Sequence, residues 1–462
     1  MIRRYQQTLF RLLKLLHAFR DNPKDLPALA ELQESLYNRL VTVERREAKA
    51  KRNAAAAKGK LRSGRQSRED SKGLRAEIKH FEQVREEYRA LKLLIRTIGD
   101  GIAYTLFDRY DLKPLAFKES PGGIRGKKGR RRELNILRRL LSEGYSAVLC
   151  DLTNVLRYAD ICVDVGDSPL FFEVKTSKNT NARTDRQLAD LEAMGRYLTS
   201  DHHPSLFGRS TPTKRVALTT SQPSYASEMN ELIRRAKTEG TAFKEVELGL
   251  TYFAVHDLDT ERLDAAVKGY VRSHVALLNE AKNDGTWASY YPYTLSIAEP
   301  EDIIAFAAGE ITLIVLFDQM QVERIANSLG FQMRDLPPGM PDSHSGDWPF
   351  WFEPKAPDPK FPEGFGIGAH FLGRLFYEFT SLEWVVRETC ARSPAIVQFA
   401  EELGVGESST QIADGPRADL MVAIQSPNKD VRDRPTDKGA FGEREEKVAE
   451  GMPDAKPGAA GQ

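Results

Sequence analysis

The sequence predicts an α/β protein: a mixed-sheet core preceded by an N-terminal α-helical hairpin or coiled-coil arm and followed by a C-terminal α+β accessory domain. Three observations predict it. Apolar residues recur at spacings of three and four through residues 1–98, the period of a helix buried on one face. Between 125 and 256, runs with helical period alternate with short apolar runs bounded by turn residues. From 257 to about 425 the pattern changes again, and 426–462 is Pro, Gly and charge with few large apolar residues, a composition that predicts disorder.

In the arm, Leu29, Leu32, Leu36, Leu40 and Val43 mark one helix. Leu74, Ile78, Phe81, Val84, Tyr88, Leu91 and Ile95 mark a second, close to heptad spacing. Between them, 48–73 is basic and polar, which predicts a frayed, flexible tip. Such an arm packs on itself, dimerises, or grips a partner protein or a nucleic-acid backbone. Residues 99–124 read as a connector. In the core, 129–143 is an amphipathic helix stopped by Gly144. Ser146–Leu149, Asp160–Val165 and Leu170–Thr176 read as strands, 183–199 as a helix, 214–220 as a buried strand, 223–239 as a helix and 246–255 as a strand. Beyond it, Leu263–Asn279 reads as a helix, 310–317 as a buried strand and 368–403 as a final helix. Trp348, Phe350, Trp351 and Phe352 form an aromatic cluster among prolines.

Net charge is +1 over 462 residues, so global charge selects no partner; its distribution is more informative. Residues 125–139 hold eight Lys or Arg and one acid, Glu133, and 44–80 hold thirteen against five. Local basic surfaces of this kind suit a polyanion such as nucleic acid, although a solvated helix face reads the same way for 44–80. Cys150, Cys162 and Cys390 show no paired spacing, which argues against a disulfide scaffold or a zinc cluster. No apolar run approaches the ~18 residues of a membrane span, and the start lacks a signal cleavage site, so a cytoplasmic protein is expected.

The chemistry concentrates in ADICVDVGDSPLFFEVKTSK, 159–178. Strand parity puts Phe171, Glu173 and Lys175 on one face, and Asp160 comes close to Glu173 across the hairpin. Two carboxylates that close are costly unless a cation neutralises them, and hard oxygen donors suit Mg²⁺ or Mn²⁺. With a lysine two residues on, these are the parts needed to hydrolyse a phosphodiester. Asp164 shares the face of Asp160 and is its rival as first ligand, whereas Asp167 reads as a turn residue.

Asp160, twelve intervening residues, then Glu173-Val174-Lys175 resembles the Asp…Glu-X-Lys signature of the PD-(D/E)XK nuclease superfamily, over about residues 125–256. Ala159 stands where many members have Pro. The resemblance implies a restriction-endonuclease-like core (αβββαβ), with Asp160, Glu173 and the Val174 carbonyl as metal ligands. Lys175 would orient the attacking water, Glu133 would hold a second metal or a bound water, and Gln187 would support the site. Thr176, Ser177 and Lys178, with the basic Lys127, Lys128, Arg130 and Arg131, would contact nucleic acid. By the same resemblance the activity is a Mg²⁺-dependent endonuclease, acting on DNA rather than RNA, in defence against foreign DNA or in repair. The competing reading is a non-catalytic nuclease-like protein kept for DNA binding or assembly, with an oligomerising arm. GGIRGKKG (122–129) lacks the spacing of a phosphate loop, and His202-His203 lacks the further ligands of a metal site.

Overall fold

The computed structural model describes residues 1–64, 67–117, 123–127, 129–166, 169–174, 182–203, 213–256, 273–334, 350–357 and 364–402. The chain opens with α1 (Gln6–Asp21), α2 (Leu26–Arg62) and α3 (Arg68–Leu106). Asp25 caps α2 by accepting from the Ala28 amide at 2.9 Å, and Ser67 caps α3 by accepting from the Asp70 amide at 3.0 Å. The stretch expected as a frayed tip is helical up to Arg62 and again from Arg68, and α3 runs eight residues beyond the expected end of the arm at 98. It does so because Ile98, Ile102 and Ala103 remain fully buried. The connector then forms α4 (Arg109–Leu112) and a 3₁₀ turn, Lys113–Phe117.

The helix pair is part of the body rather than a free arm. One hydrophobic cluster runs without interruption from Leu9, Leu36 and Ile98 through Val148 and Ile161 to Leu313, Phe352 and Val385. At Gly99 of α3 a Cβ would overlap the Leu152 carbonyl, so this glycine is what lets the helix approach the backbone beyond it.

After α5 (Arg130–Ser142) come β1 (Ala147–Leu149), β2 (Ile161–Asp164) and β3 (Pro169–Phe172), an antiparallel sheet in the order β1-β2-β3. The next helix, α6, spans Ala182–Ser200. Helix, three antiparallel strands and helix thus follow in the expected order, but the expected fourth strand does not. Of 214–220 only Lys214 is extended, in a two-residue ladder of β4 (His202–His203) with β5 (Thr213–Lys214). The cause is side-chain chemistry on the following residues. The fully buried Arg215 guanidinium is 2.5 Å from both Asp111 and Asp201, and the Thr219 and Thr220 amides donate to Glu388. The outer edge of β1 is closed by a side chain: buried Gln33 of α2 donates to the Ala147 carbonyl at 2.8 Å and accepts from the Leu149 amide at 2.9 Å. An edge satisfied in this way offers no ladder to another strand.

Helix α7 (Ala226–Glu239) leads to β6 (Thr241–Glu247) and β7 (Leu250–His256). These belong to a second antiparallel sheet, β6-β7-β9-β8, completed by β9 (Ile311–Asp318) and β8 (Ser273–Leu277). Part of the helix expected over 263–279 is therefore strand, with Ser273–Leu277 paired antiparallel to Ile314–Asp318 of β9; 257–272 lie outside the described residues. β10 (Phe331–Arg334), β11 (Phe350–Pro354) and β12 (Phe365–Ile367) form a third sheet. In it Trp351 and Phe352 are core residues, and Trp348 lies outside the described residues. The final helix is two, Ala369–Tyr377 and Leu382–Glu402, broken at Phe379, whose φ is 51°. All three cysteines are buried and free. The expected tail, 426–462, lies outside the described residues.

Candidate functional site

The site is built at one end of the three-stranded sheet. Register pairs Ile161 with Phe172 and Cys162 with Phe171. One residue further, the Asp160 amide donates to the Phe172 carbonyl at 3.1 Å, which sets Asp160 across from Glu173. The Asp160 carbonyl accepts from the Cys150 amide at 3.0 Å, so the same residue is tied to both flanking strands. Its carboxylate is held too: Oδ2 accepts from the Val174 amide at 2.9 Å, and Oδ1 is 3.8 Å from Lys127 Nζ.

Glu133 enters from the first turn of α5. It is only 8% exposed, and its carboxyl is pushed up to about 7 by burial first and then by the nearby Asp160 charge, with Lys127 opposing and Asp151 adding. A carboxyl raised this far at a charge cluster is a recognised mark of a functional site. Asp151 lies two residues past the end of β1, on a 3₁₀ turn, and its carboxylate lies 2.5 Å from Lys127 Nζ. The charges of Asp151, Asp160 and Glu173 all bear on the buried Cys150 thiol, which burial already pushes far up.

Lys127 is therefore placed differently from expectation. The sequence makes it a candidate contact to nucleic acid, whereas its ammonium points into the acid cluster. Burial works against its charge, but Asp151, Asp160 and Glu133 outweigh burial and raise it. The loop that carries it is anchored by Glu44 of α2, which accepts from the Ile124 and Arg125 amides at 3.1 and 2.8 Å. Arg130 also turns inward, its guanidinium 5.6 Å from the Tyr37 ring centroid, while Arg131 remains exposed in the first turn of α5.

Asp164 does not join the cluster. It stands at the far end of β2, opposite Pro169, and its carboxylate accepts from the Gly166 amide at 2.9 Å as a turn cap. Lys128, Lys175, Thr176, Ser177 and Lys178 lie outside the described residues, as does the side chain of Gln187 within α6. Two members of the site were missed from sequence. Asp151 carried a usable signal, an acid immediately after an apolar run. Glu44 carried none, since one acid in a charged helix is unremarkable.

The cluster sets carboxylates in mutual repulsion, with Glu133 raised towards neutrality beside the Asp160 charge. Lys127 supplies the compensating charge in this arrangement. Among the described residues no three His, Cys, Asp or Glu side chains converge at metal-ligating spacing. Among the described residues, too, no helix is long and apolar enough to cross a membrane. No known family, no curated protein and no solved structure matches the chain.

Proposed function

We propose that this protein is a metal-dependent phosphodiester hydrolase acting on DNA as an endonuclease, with a restriction-endonuclease-like core. The observation that carries the reading is the pairing of Asp160 across from Glu173, with Glu133 buried against Asp160 at the same sheet end. Asp160, Glu173 and the Val174 carbonyl would hold Mg²⁺ or Mn²⁺. When bound, that ion polarises the scissile phosphate and acidifies a water.

The chain's own groups divide the remaining work. Lys175 orients the attacking water and offsets charge on the phosphate. Glu133, whose carboxyl titrates near neutrality, is suited to accept a proton there. Gln187 supports the site, and Thr176, Ser177, Lys178, Lys128 and Arg131 hold the flanking strand. Defence against foreign DNA or DNA repair would fit such an activity.

A second reading has its own observation. The Lys127–Asp151 ion pair neutralises the cluster without a metal, as a non-catalytic nuclease-like DNA-binding protein would require. Supercoiled plasmid separates the two. With Mg²⁺ or Mn²⁺ the protein nicks it, and Glu173→Ala and Lys175→Ala each abolish nicking. A wild-type protein inert on duplex, single-stranded, branched and RNA substrates, and silent in calorimetric titration with both metals, would leave only the second reading.

A further inference from the structure

Helix α2 passes the candidate site and continues beyond it. Glu44 anchors the Lys127 loop, and Tyr37 carries Arg130, so this part of α2 forms a wall of the site. The helix then runs on to Arg62, about 27 Å further at about 1.5 Å per residue. In this distal part the seam towards α3 is made by small residues, Ala50, Ala54 and Ala57, all buried.

The rest of its surface is cationic in an uneven way. Between 48 and 62, α2 has six Lys or Arg and no acid, whereas α3 between 68 and 89 has six of each. Arg45, Lys49, Arg52 and Lys60 are exposed and, at steps of four, three and eight, fall within one stripe of the helix. Among the described residues Lys58 has an ion pair, with Glu82 at 2.6 Å, but none of these four has an acidic partner. Like charges three and four apart destabilise a helix, and among the described residues no acid pairs with these four. Alanine, the strongest helix former, is what keeps the segment helical despite that repulsion. An exposed stripe of one charge sign suits an external polyanion.

We infer that Arg45, Lys49, Arg52 and Lys60 form a docking stripe for the phosphate backbone of duplex DNA flanking the site. The inference rests on the nuclease reading for its choice of partner. The stripe spans about 22 Å along the helix, the length of about six base pairs at about 3.4 Å per step. A rigid row of cations of that length tracks backbone rather than base edges, so it adds affinity without sequence preference.

The test is fluorescence anisotropy of the full chain with a labelled duplex longer than the arm, in EDTA so that no cleavage intervenes, across a salt series. Lys49→Gln/Arg52→Gln/Lys60→Gln weakens binding about tenfold or more at physiological salt and lowers the salt slope by about 2.7, at about 0.9 per phosphate contact. The matched change on α3, Lys72→Gln/Arg75→Gln/Lys79→Gln, leaves slope and affinity near wild type. Circular dichroism shows both variants helical. An unchanged slope and affinity in the α2 variant overturns the stripe, as does equal loss in both variants or preference for duplex RNA. Plasmid nicking keeps the two readings apart. Nicking with an unmoved salt slope sinks the stripe alone, and a moved slope without nicking sinks the nuclease alone.

Discussion

The two halves of the α2–α3 pair belong to the same helices and are built on opposite terms. In the proximal half, Leu29, Leu32, Leu36, Leu40 and Val43 meet Leu91, Ile95, Ile98 and Ile102 in a fully apolar seam. Three buried polar residues there reach out to the neighbouring backbone: Gln33 to β1, Glu44 to the Lys127 loop and Asp100 to the amides of Asn154 and Val155. The distal half replaces leucine by alanine and buried amides by exposed cations. One half locates the candidate site, and the other leaves its cations at the surface. The lesson is that helix length says nothing about role, whereas the side chains at the seam do.

The comparison can be broken at the seam. Leu40→Ala in the proximal half costs about 3 kcal/mol, from lost burial plus a cavity, and Ala54→Gly in the distal half about 1 kcal/mol. Urea denaturation monitored by far-ultraviolet circular dichroism measures both; equal losses would mean the halves are energetically alike. Gln33→Ala falls between them, at about 2 kcal/mol, because it strands a buried carbonyl and amide of β1.

Acidity sharpens the contrast next. Asp100 is fully buried, and burial pushes its carboxyl up from 3.8 to about 6 against the opposing bonds from Asn154 and Val155. The folded state therefore binds this proton more tightly than the unfolded chain. Its contribution to stability is full below pH 3.8 and is lost as pH rises to about 6. Asp100→Asn removes its share of that slope from a denaturation series and leaves the share of Glu133, raised from 4.5 to about 7, while the distal α2 cations change neither. A slope unchanged in Asp100→Asn would assign all of it to other groups.

The smallest expected effect concerns the site cation. Lys127→Met removes the ammonium that now neutralises Asp151 and Asp160, so on the nuclease reading the protein binds Mn²⁺ more tightly than wild type by calorimetry. Weaker binding would make Lys127 a support of the metal site rather than its competitor.

The sequence by itself determined the local pieces: the two long N-terminal helices, the order of the three antiparallel strands and the register that sets Asp160 across from Glu173. Each rests on a short-range rule, either the 3.6 period or strand parity carried across one turn. It could also show Asp164 and Asp160 on one face, but not that a turn amide would claim the first. Tertiary structure decided what crosses long stretches of chain. Gln33 closes the edge of β1 from 114 residues away, and Glu44 fixes the Lys127 loop from 80. Arg215, bound to Asp111 across 104 residues, turns an apolar run away from the sheet it was expected to join. β7 finds its neighbour in β9 rather than in the site's sheet. Alternation announces that a strand exists, but its partner is set by which edges remain unsatisfied once the whole chain has packed.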